Sequence, residues 1–351
     1  MNFRILTFAG STALVLSLAG GHAMAQAVNT KPAVKGTGNW TAPRAADGRP
    51  DLQGVWGNNN ATPLERPKEL AGRPYLTEQE VAALKKEEAK LFANGSSDAA
   101  FGDQVFATVL ANVKGEKEGF KSTDGGTGDY SSVWVLPRDW DNRTSLITDP
   151  ADGRLPPLTA EAQRRQTATV AARNRVPAGP EDRGLSERCI TFGSPRFGAA
   201  YQSYFQIVQS AKQVAIESET IHDTRIISLE GSPHLPPNIQ TWLGDSRGHW
   251  QGDTLVVDTT NYKANALMPG GFGGTSSAQL HVVERFTRTS PEVLQWDITV
   301  EDPGTWSKPW TAMIPLRLSK QPLLEYACHE GNIGMQGILA GARADEKRPA
   351  K

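Results

Sequence analysis

The hydrophobic pattern of the chain changes near Tyr201. From there on, short runs with apolar residues at every second position alternate with turns rich in Gly, Pro, Asn, Asp and Ser, which is typical of β-strands. No helical pattern separates these runs. We therefore predict a mainly β protein, with an antiparallel β-barrel or a strongly curved sheet over residues 201–343, an N-terminal arm and a few peripheral helices.

The segment 242–262 shows the β pattern most clearly. A Gly-Asp turn pair at 252–253 separates two strand-like runs, so the segment predicts a hairpin. Its first strand carries Asp245, Arg247 and His249. We expect these ionisable residues at the lumen or mouth of the barrel.

Two helices are predicted in the first half of the chain. Thr77 and Glu80 form a capping box at the start of LTEQEVAALKKEEAKLF, and Thr159 starts the second helix, LTAEAQRRQTATVAARN. The stretch between them, residues 94–127, is rich in Gly, Ser and Lys and predicts a loop with little regular structure. Residues 51–200 as a whole predict a helical and loop-rich region wrapped on the barrel.

The two ends of the chain predict an exported protein. Residues 1–25 combine one basic residue, a short apolar run and an Ala-Met-Ala ending, the pattern of a signal peptide. Residues 26–50 predict a flexible arm and residues 344–351 a disordered tail. No later window is apolar enough to span a membrane, so we expect a periplasmic or secreted protein.

The net charge indicates which partners to expect, and the cysteine content indicates whether a disulfide forms. The formal net charge is −1 and basic residues are dispersed, so we do not expect nucleic acid as a partner. Cys189 and Cys328 predict one long-range disulfide, which is worth on the order of 4 kcal/mol on the chain-entropy model. Two buried free thiols are the alternative. The oligomeric state is left open.

All five histidines after the signal peptide lie in the β-rich half, and four of them, all except His234, are close in sequence to carboxylates or arginines. Histidine titrates near neutral pH, a carboxylate can orient it, and Arg can stabilise an oxyanion. The candidate catalytic residues are His222, Asp223, Arg225, Asp245, Arg247, His249, His281 and His329. We expect His249 or His281 as the base, Asp245 as its orienter, and Arg225 or Arg247 as the oxyanion partner. Structural salt bridges are the alternative for each of them.

Strand alternation assigns faces to some of these side chains. An unbroken strand over 214–225 would place Asp223 and Arg225 on one face with Glu217 and Glu219, which requires solvent or a polar cavity. In LHVVERF, His281 and Glu284 fall on opposite faces. Asp302 ends the apolar face of LQWDITVED and is a candidate buried carboxylate.

No cofactor is predicted. The sequence lacks the spacing of known metal sites, a nucleotide-binding loop and a serine-nucleophile elbow. Metal ligands contributed by separate strands stay open as a possibility. The glycine-rich segment 270–274 predicts either a flap beside the cavity or a flexible connection.

Several long motifs resemble a widespread family of exported bacterial hypothetical proteins. They are GRPDLQGVW, ADGRLPPLT, IHDTRII, HLPPNIQTWLGDSRGHWQGDTLVVDTTNY, VEDPGTWSKPW and YACHEGNIGMQGILAGAR. The resemblance implies a bacterial periplasmic or secreted location, and it carries no activity to particular residues. The β half is also loosely similar to lipocalin-like barrels in its strand pattern alone.

The residues together predict an exported enzyme that performs general acid–base chemistry, as a lyase, isomerase or hydrolase. Its substrate would be a small, partly apolar or aromatic molecule bound in a polar-lined barrel cavity. One alternative is a non-catalytic periplasmic carrier of an apolar ligand. The other alternative is a metal-dependent hydrolase.

Overall fold

The computed structural model describes residues 40–93, 104–116, 138–199, 203–264, 266 and 275–347. The predicted signal peptide, most of the predicted arm and the glycine segment 270–274 lie outside the described residues.

Ten strands are described, and nine of them close into a barrel. Their bounds are β1 Gly54–Gly57, β2 Ile147–Asp149, β3 Tyr204–Gln209, β4 Gln213–Ser218, β5 Thr224–Ser228, β6 Asp245–Gln251, β7 Thr254–Thr260, β8 His281–Ser290, β9 Val293–Glu301 and β10 Trp310–Ser319. The order around the barrel is β1, β3 to β10, and back to β1, while β2 adds to β10. All neighbours run antiparallel except β5 and β6, which are parallel. The predicted barrel is confirmed, as a mixed one.

The barrel is closed by a strand from the region predicted to wrap it. β1 pairs with β3 on one side and with β10 on the other. Trp56 in β1 is fully buried, and its indole nitrogen donates to the Leu52 carbonyl oxygen at 2.9 Å. The segment GVW therefore contributes a wall of the barrel.

Alternation along β8 and β9 follows the predicted faces. Glu284 points into the barrel while His281, three residues earlier, lies on the outer wall. Asp302 is 2% exposed and accepts hydrogen bonds from Ser277 and Thr305, so it is the buried carboxylate that the pattern predicts. Aromatic rings fill the space between the inner faces, with Trp296 stacked 5.7 Å from Phe286.

Four helices are described: α1 Glu78–Ala93, α2 Gln104–Val113, α3 Ala160–Arg173 and α4 Ile333–Glu346. The capping box of α1 is confirmed, because Thr77 N donates to Glu80 and Glu80 N donates to the Thr77 hydroxyl. Thr159 caps α3 by accepting from Ala162 N at 3.1 Å. Among the described residues, no helix is long and apolar enough to cross a bilayer.

Two of these helices correct the sequence-based prediction. α2 lies within residues 94–127, which were predicted as a loop, and its Val105, Phe106 and Val109 are buried against α1 and Trp140. α4 lies in the region predicted to contain only strands and a tail. After β10 the chain does not continue as a strand to Cys328, because residues 320–328 have no regular structure.

The Cys189–Cys328 disulfide is formed. It joins residues separated by 139 positions, and so ties the segment before β3 to the segment after β10. Asn332, at the start of α4, donates to the Glu187 carbonyl oxygen. The C-terminal segment is therefore fixed beside residues 187–192.

Candidate functional site: a cleft between β5 and β6

The barrel wall opens where β5 and β6 run side by side. Among the described residues, Ser228 and Arg247 are the one bridged pair between these strands. A cleft of about 310 Å³ lies alongside the first residues of both strands. This volume is at the lower end of the roughly 300–1,000 Å³ of small-molecule sites. The cleft is lined by Ile190, Thr191, Asp223, Thr224, Arg225, Ile226, Thr241, Trp242, Leu243, Gly244 and Ser246.

The opening follows from the long connection between the two strands. Residues 229–244 contain Pro233, Pro236 and Pro237, which lack the amide hydrogen that a strand ladder requires. A tight hairpin is thereby prevented, and the chain returns so that β6 runs parallel to β5. The two edges meet at one bridge only, and the cleft remains beside it.

A strained turn places Asp223 at this cleft. The turn at 220–222 separates β4 from β5, so the unbroken strand over 214–225 considered above is wrong. Ile221 and His222 adopt positive φ values of 56° and 47°. For a β-branched residue such as Ile221 this conformation is a true outlier, and such strain often occurs at functional sites.

Asp223 is the carboxyl group of the cleft. Its Oδ2 accepts from the Thr191 hydroxyl at 2.7 Å and from Phe192 N at 3.2 Å. Within the described part of the chain, no donor reaches Oδ1. Burial raises the pKa of Asp223 above its ordinary value of 3.8. The two hydrogen bonds and the charges of His222 and Arg196 oppose this only in part.

Arg225 lies behind Asp223 and points into the barrel. Its guanidinium makes two parallel hydrogen bonds to Glu284, of 2.5 and 2.9 Å, and Trp296 Nε1 donates to the same carboxylate at 3.0 Å. Burial lowers the pKa of Arg225, but the charge and hydrogen bonds of Glu284 outweigh it and raise the pKa. Burial also raises the pKa of Tyr262, which lies near this ion pair.

The space inside the barrel is small. A cavity of about 20 Å³ lies next to Asp223 and Arg225, among Phe205, Phe286 and Trp296. Such a cavity has room for about one water molecule. Of these two spaces the wall cleft is the larger, whereas the sequence predicted a ligand-binding cavity inside the barrel.

Three of the predicted catalytic residues lie on the outer wall. Asp245, Arg247 and His281 belong to strands β6 and β8, with side chains directed away from the lumen. Asp245 accepts from the Arg247 guanidinium at 2.8 Å. The ionisable residues of β6 therefore do not face the lumen, which was one of the two positions expected for them, the other being the barrel mouth.

Two of these side chains belong to a longer arrangement, the outer ionic row, which consists of Asp245, His234, Asp258, His281 and Glu301. His234 lies 2.9 Å from Asp245 through Nδ1 and 2.9 Å from Asp258 through Nε2. His281 lies 2.9 Å from Asp258 and 3.5 Å from Glu301. Carboxylates and imidazoles thus alternate across four strands.

Contacts within the outer ionic row shift the pKa values of two of its members, His281 and Asp258. The hydrogen bond to Asp258 raises the pKa of His281, and burial opposes it. Burial would raise the pKa of Asp258, but the hydrogen bonds and charges of His281 and His234 lower it.

His222, His249 and His329 are exposed. His249 contacts Gln251 at 3.0 Å and does not contact Asp245, which binds His234 instead. The predicted pairing of His249 with Asp245 is therefore wrong. The predicted residues divide into a cleft pair, Asp223 and Arg225, and groups outside the barrel.

The sequence contained a signal for Asp258, one of the three members of the row that were missed. A two-residue turn at 252–253 pairs Arg247 with Asp258, as the structure shows. His234 lies in the connection before β6, where no strand register predicts its neighbours.

The chain matches no known protein-family model, no curated protein and no solved structure. The likeness to lipocalin-like barrels therefore stays a statement about strand pattern. Among the described residues, no group of three or more His, Cys, Asp or Glu side chains could hold a metal ion. The metal-dependent alternative has no candidate ligand set in that part of the chain.

Proposed function

We propose that this protein is an exported enzyme that performs general acid–base chemistry, as a lyase, isomerase or hydrolase, on a small, partly apolar or aromatic molecule bound in the β5–β6 cleft. The position of Asp223 carries the proposal. It is a half-buried carboxyl group with a raised pKa, it lines a cleft of about 310 Å³, and its Oδ1 faces no donor among the described residues. A carboxyl group in this setting can exchange a proton with a bound molecule.

The lining of the cleft defines the class of ligand. Ile190, Ile226, Leu243 and Trp242 offer apolar surface, and Asp223 offers one carboxyl oxygen. A molecule with an apolar or aromatic body and a hydroxyl or amino group satisfies both features. The guanidinium of Arg225 is paired with Glu284 inside the barrel, so we assign it no acid–base role toward the ligand.

The export that we propose is supported by the apolar N-terminal run with its Ala-Met-Ala ending and by the Cys189–Cys328 disulfide. Disulfides persist in oxidising compartments such as the periplasm. The resemblance to exported bacterial proteins agrees with this location.

We expect Asp223→Asn to abolish turnover and to leave binding largely intact, because the amide keeps the shape of the carboxyl group but cannot transfer its proton. General acid–base groups contribute about 10²- to 10⁴-fold to rates. Binding is measured by fluorine NMR with para-fluorobenzyl alcohol. Turnover is measured as compounds of a bacterial small-molecule extract whose amounts change on incubation with the protein, detected by mass spectrometry.

Asp253→Asn is the matched control, because Asp253 lies on the exposed β6–β7 turn in a surface pair with Arg44. It should behave like the unmodified protein in both assays. Unchanged turnover in Asp223→Asn would contradict the assignment of Asp223 as the acid–base group.

A non-catalytic carrier is the second candidate, and one observation favours it. No histidine within the described residues hydrogen-bonds to Asp223, so the cleft holds a single acid–base group. The carrier is distinguished by the same assays, since para-fluorobenzyl alcohol would bind while no compound of the extract changed.

A further inference from the structure

The loop between β5 and β6, residues 229–244, forms one wall of the cleft with its last residues. Trp242 and Leu243 line the cleft directly. Residues 235–241 are all exposed, and among them Leu235 and Ile239 are 38% and 45% exposed. Apolar burial therefore does not hold the outer part of this loop in place, and its polar contacts must do so.

The polar contacts are made by Pro233 and His234 near the start of the loop, by Asn261 to its middle, and by the backbone of Thr241 near its end. His234 joins Asp245 on β6 to Asp258 on β7, and Leu235 N also donates to Asp245. The amide nitrogen of Asn261 lies 2.9–3.0 Å from three carbonyl oxygens, those of Leu235, Pro236 and Ile239. His234 is a partly buried contact between the loop and the barrel wall. Two others lie beside it: Arg247 Nε donates to the Pro233 carbonyl oxygen, and the backbone of Thr241 bonds to Asn261 and Lys263.

The contacts of His234 require a charged ring. Each of its nitrogens lies 2.9 Å from a carboxylate oxygen, and an ionised carboxylate only accepts hydrogen bonds. A neutral imidazole carries one N–H and can make only one of the two bonds. Both bonds are present only when the ring carries two protons, and the same reasoning applies to His281 between Asp258 and Glu301.

We infer that His234 is a positioning residue that latches loop 229–244 beside the cleft, and that loss of protons from the outer ionic row releases this wall. The inference rests on the proposed function, which makes the cleft the binding site. It assigns to the outer histidines control of access, in place of the catalytic role predicted for His281.

The charged neighbours set the direction of the effect. The groups that face His234 and its partners are Asp245 and Arg247 on β6, Asp258 on β7, His281 on β8 and Glu301 on β9. The pKa of His281 is raised, so its stabilising contribution is complete below its ordinary value of 6.5 and is lost as the pH rises through the raised value. The pKa of Asp258 is lowered, so its contribution is complete above 3.8 and is lost as the pH falls through the lowered value. The latch is therefore closed between these limits and opens as the pH rises through the raised pKa of His281.

Amide hydrogen exchange tests the latch without any ligand. The amides of Leu235, Ile239 and Thr241 are hydrogen-bonded and report on the loop. We expect their protection, corrected for the intrinsic pH dependence of exchange, to fall in the unmodified protein between about pH 6 and about pH 9. In His234→Gln it should be about tenfold lower already at the acidic end, as expected for loss of a charge-assisted hydrogen bond.

Two further variants make the result specific. Asp258→Asn removes the charge that both imidazoles share and should resemble His234→Gln. His249→Gln changes an exposed histidine on the same outer face of β6 and should resemble the unmodified protein. Protection that is equal at both pH values, or unchanged in His234→Gln, would overturn the latch.

The exchange rate of para-fluorobenzyl alcohol, from fluorine line shapes, tests the effect on the cleft. This probe does not ionise in the range used. Its association should speed up with pH in the unmodified protein and be fast at both pH values in His234→Gln. If the probe bound at a pH-independent rate, control of access would be refuted while the proposed site stood. If loop protection fell with pH but no probe bound, the proposed site would fail and the latch would stand.

Discussion

Replacing Arg225 by Met is expected to lower the free energy of unfolding by about 3–5 kcal/mol. The reason is the carboxylate that the substitution leaves behind. Glu284 is fully buried, and its remaining donor would be the indole nitrogen of Trp296. Removing one member of a buried ion pair leaves a charge without compensation in a medium of low polarity. Urea unfolding followed by circular dichroism measures the change.

Two comparisons separate the buried charge from other effects of the substitution. The double variant Arg225→Met, Glu284→Met removes both charges and should recover most of the lost stability. Arg44→Met removes an arginine from an exposed pair with Asp253, where solvent compensates, and should change stability by about 1 kcal/mol or less. A similarly small change in the single Arg225 variant would contradict the description of this pair.

Removing the disulfide with Cys189→Ser and Cys328→Ser should lower the free energy of unfolding by about 4 kcal/mol. The bond closes a loop of 139 residues, and its loss restores the freedom of that loop in the unfolded chain. The cleft should also be affected, because Ile190 and Thr191 follow Cys189 directly and Thr191 donates to Asp223. Urea unfolding measures the first effect and fluorine NMR with para-fluorobenzyl alcohol measures the second.

The double serine variant could lose stability and still bind the probe as tightly as the unmodified protein. That result would show that the disulfide does not position the cleft wall. Unchanged stability would contradict its role as a cross-link of the fold. Reduction of the unmodified protein should reproduce the behaviour of the serine pair, which guards against effects of the substitutions themselves.

Local patterns account for the parts of the fold that were predicted. The β6–β7 hairpin follows from its turn pair, the start of α1 from Thr77 and Glu80, and the faces of β8 from alternation. Each of these features depends on residues that are near each other in sequence. They could therefore be read without knowledge of the tertiary structure.

The parts that were not predicted depend on distant contacts or on residues with poor propensity. β1 is a short strand that becomes stable only between β3 and β10. α2 is flanked by stretches rich in Gly, Ser and Lys, which hid its apolar face. α4 contains Gly334, Gly337 and Gly341, each of which disfavours a helix by roughly 1 kcal/mol relative to Ala.

The candidate site also has features that local sequence predicts and features that depend on distant contacts. Asp223 and Arg225 were selected because ionisable residues cluster around them, but the partner of Arg225 lies across the barrel on β8. Of the histidines in this half of the chain, His249 and His281 lie on outward strand positions and the other three lie in turns or connections. None of them lines the cleft. The pair of Arg225 and Glu284 forms only because the barrel closes and brings β5 and β8 together. No pattern of neighbouring residues in the sequence predicts that closure.

Methyl NMR of the protein titrated with para-fluorobenzyl alcohol tests the central claim most directly. The methyl groups of Ile190, Ile226 and Leu243 line the cleft, whereas Ile298 and Ile314 are fully buried inside the barrel. The cleft account predicts that the probe shifts the first three signals in proportion to occupancy and leaves the other two in place. If only the interior methyl signals shifted, or if no signal of either set shifted, the assignment of the β5–β6 cleft as the functional site would be contradicted.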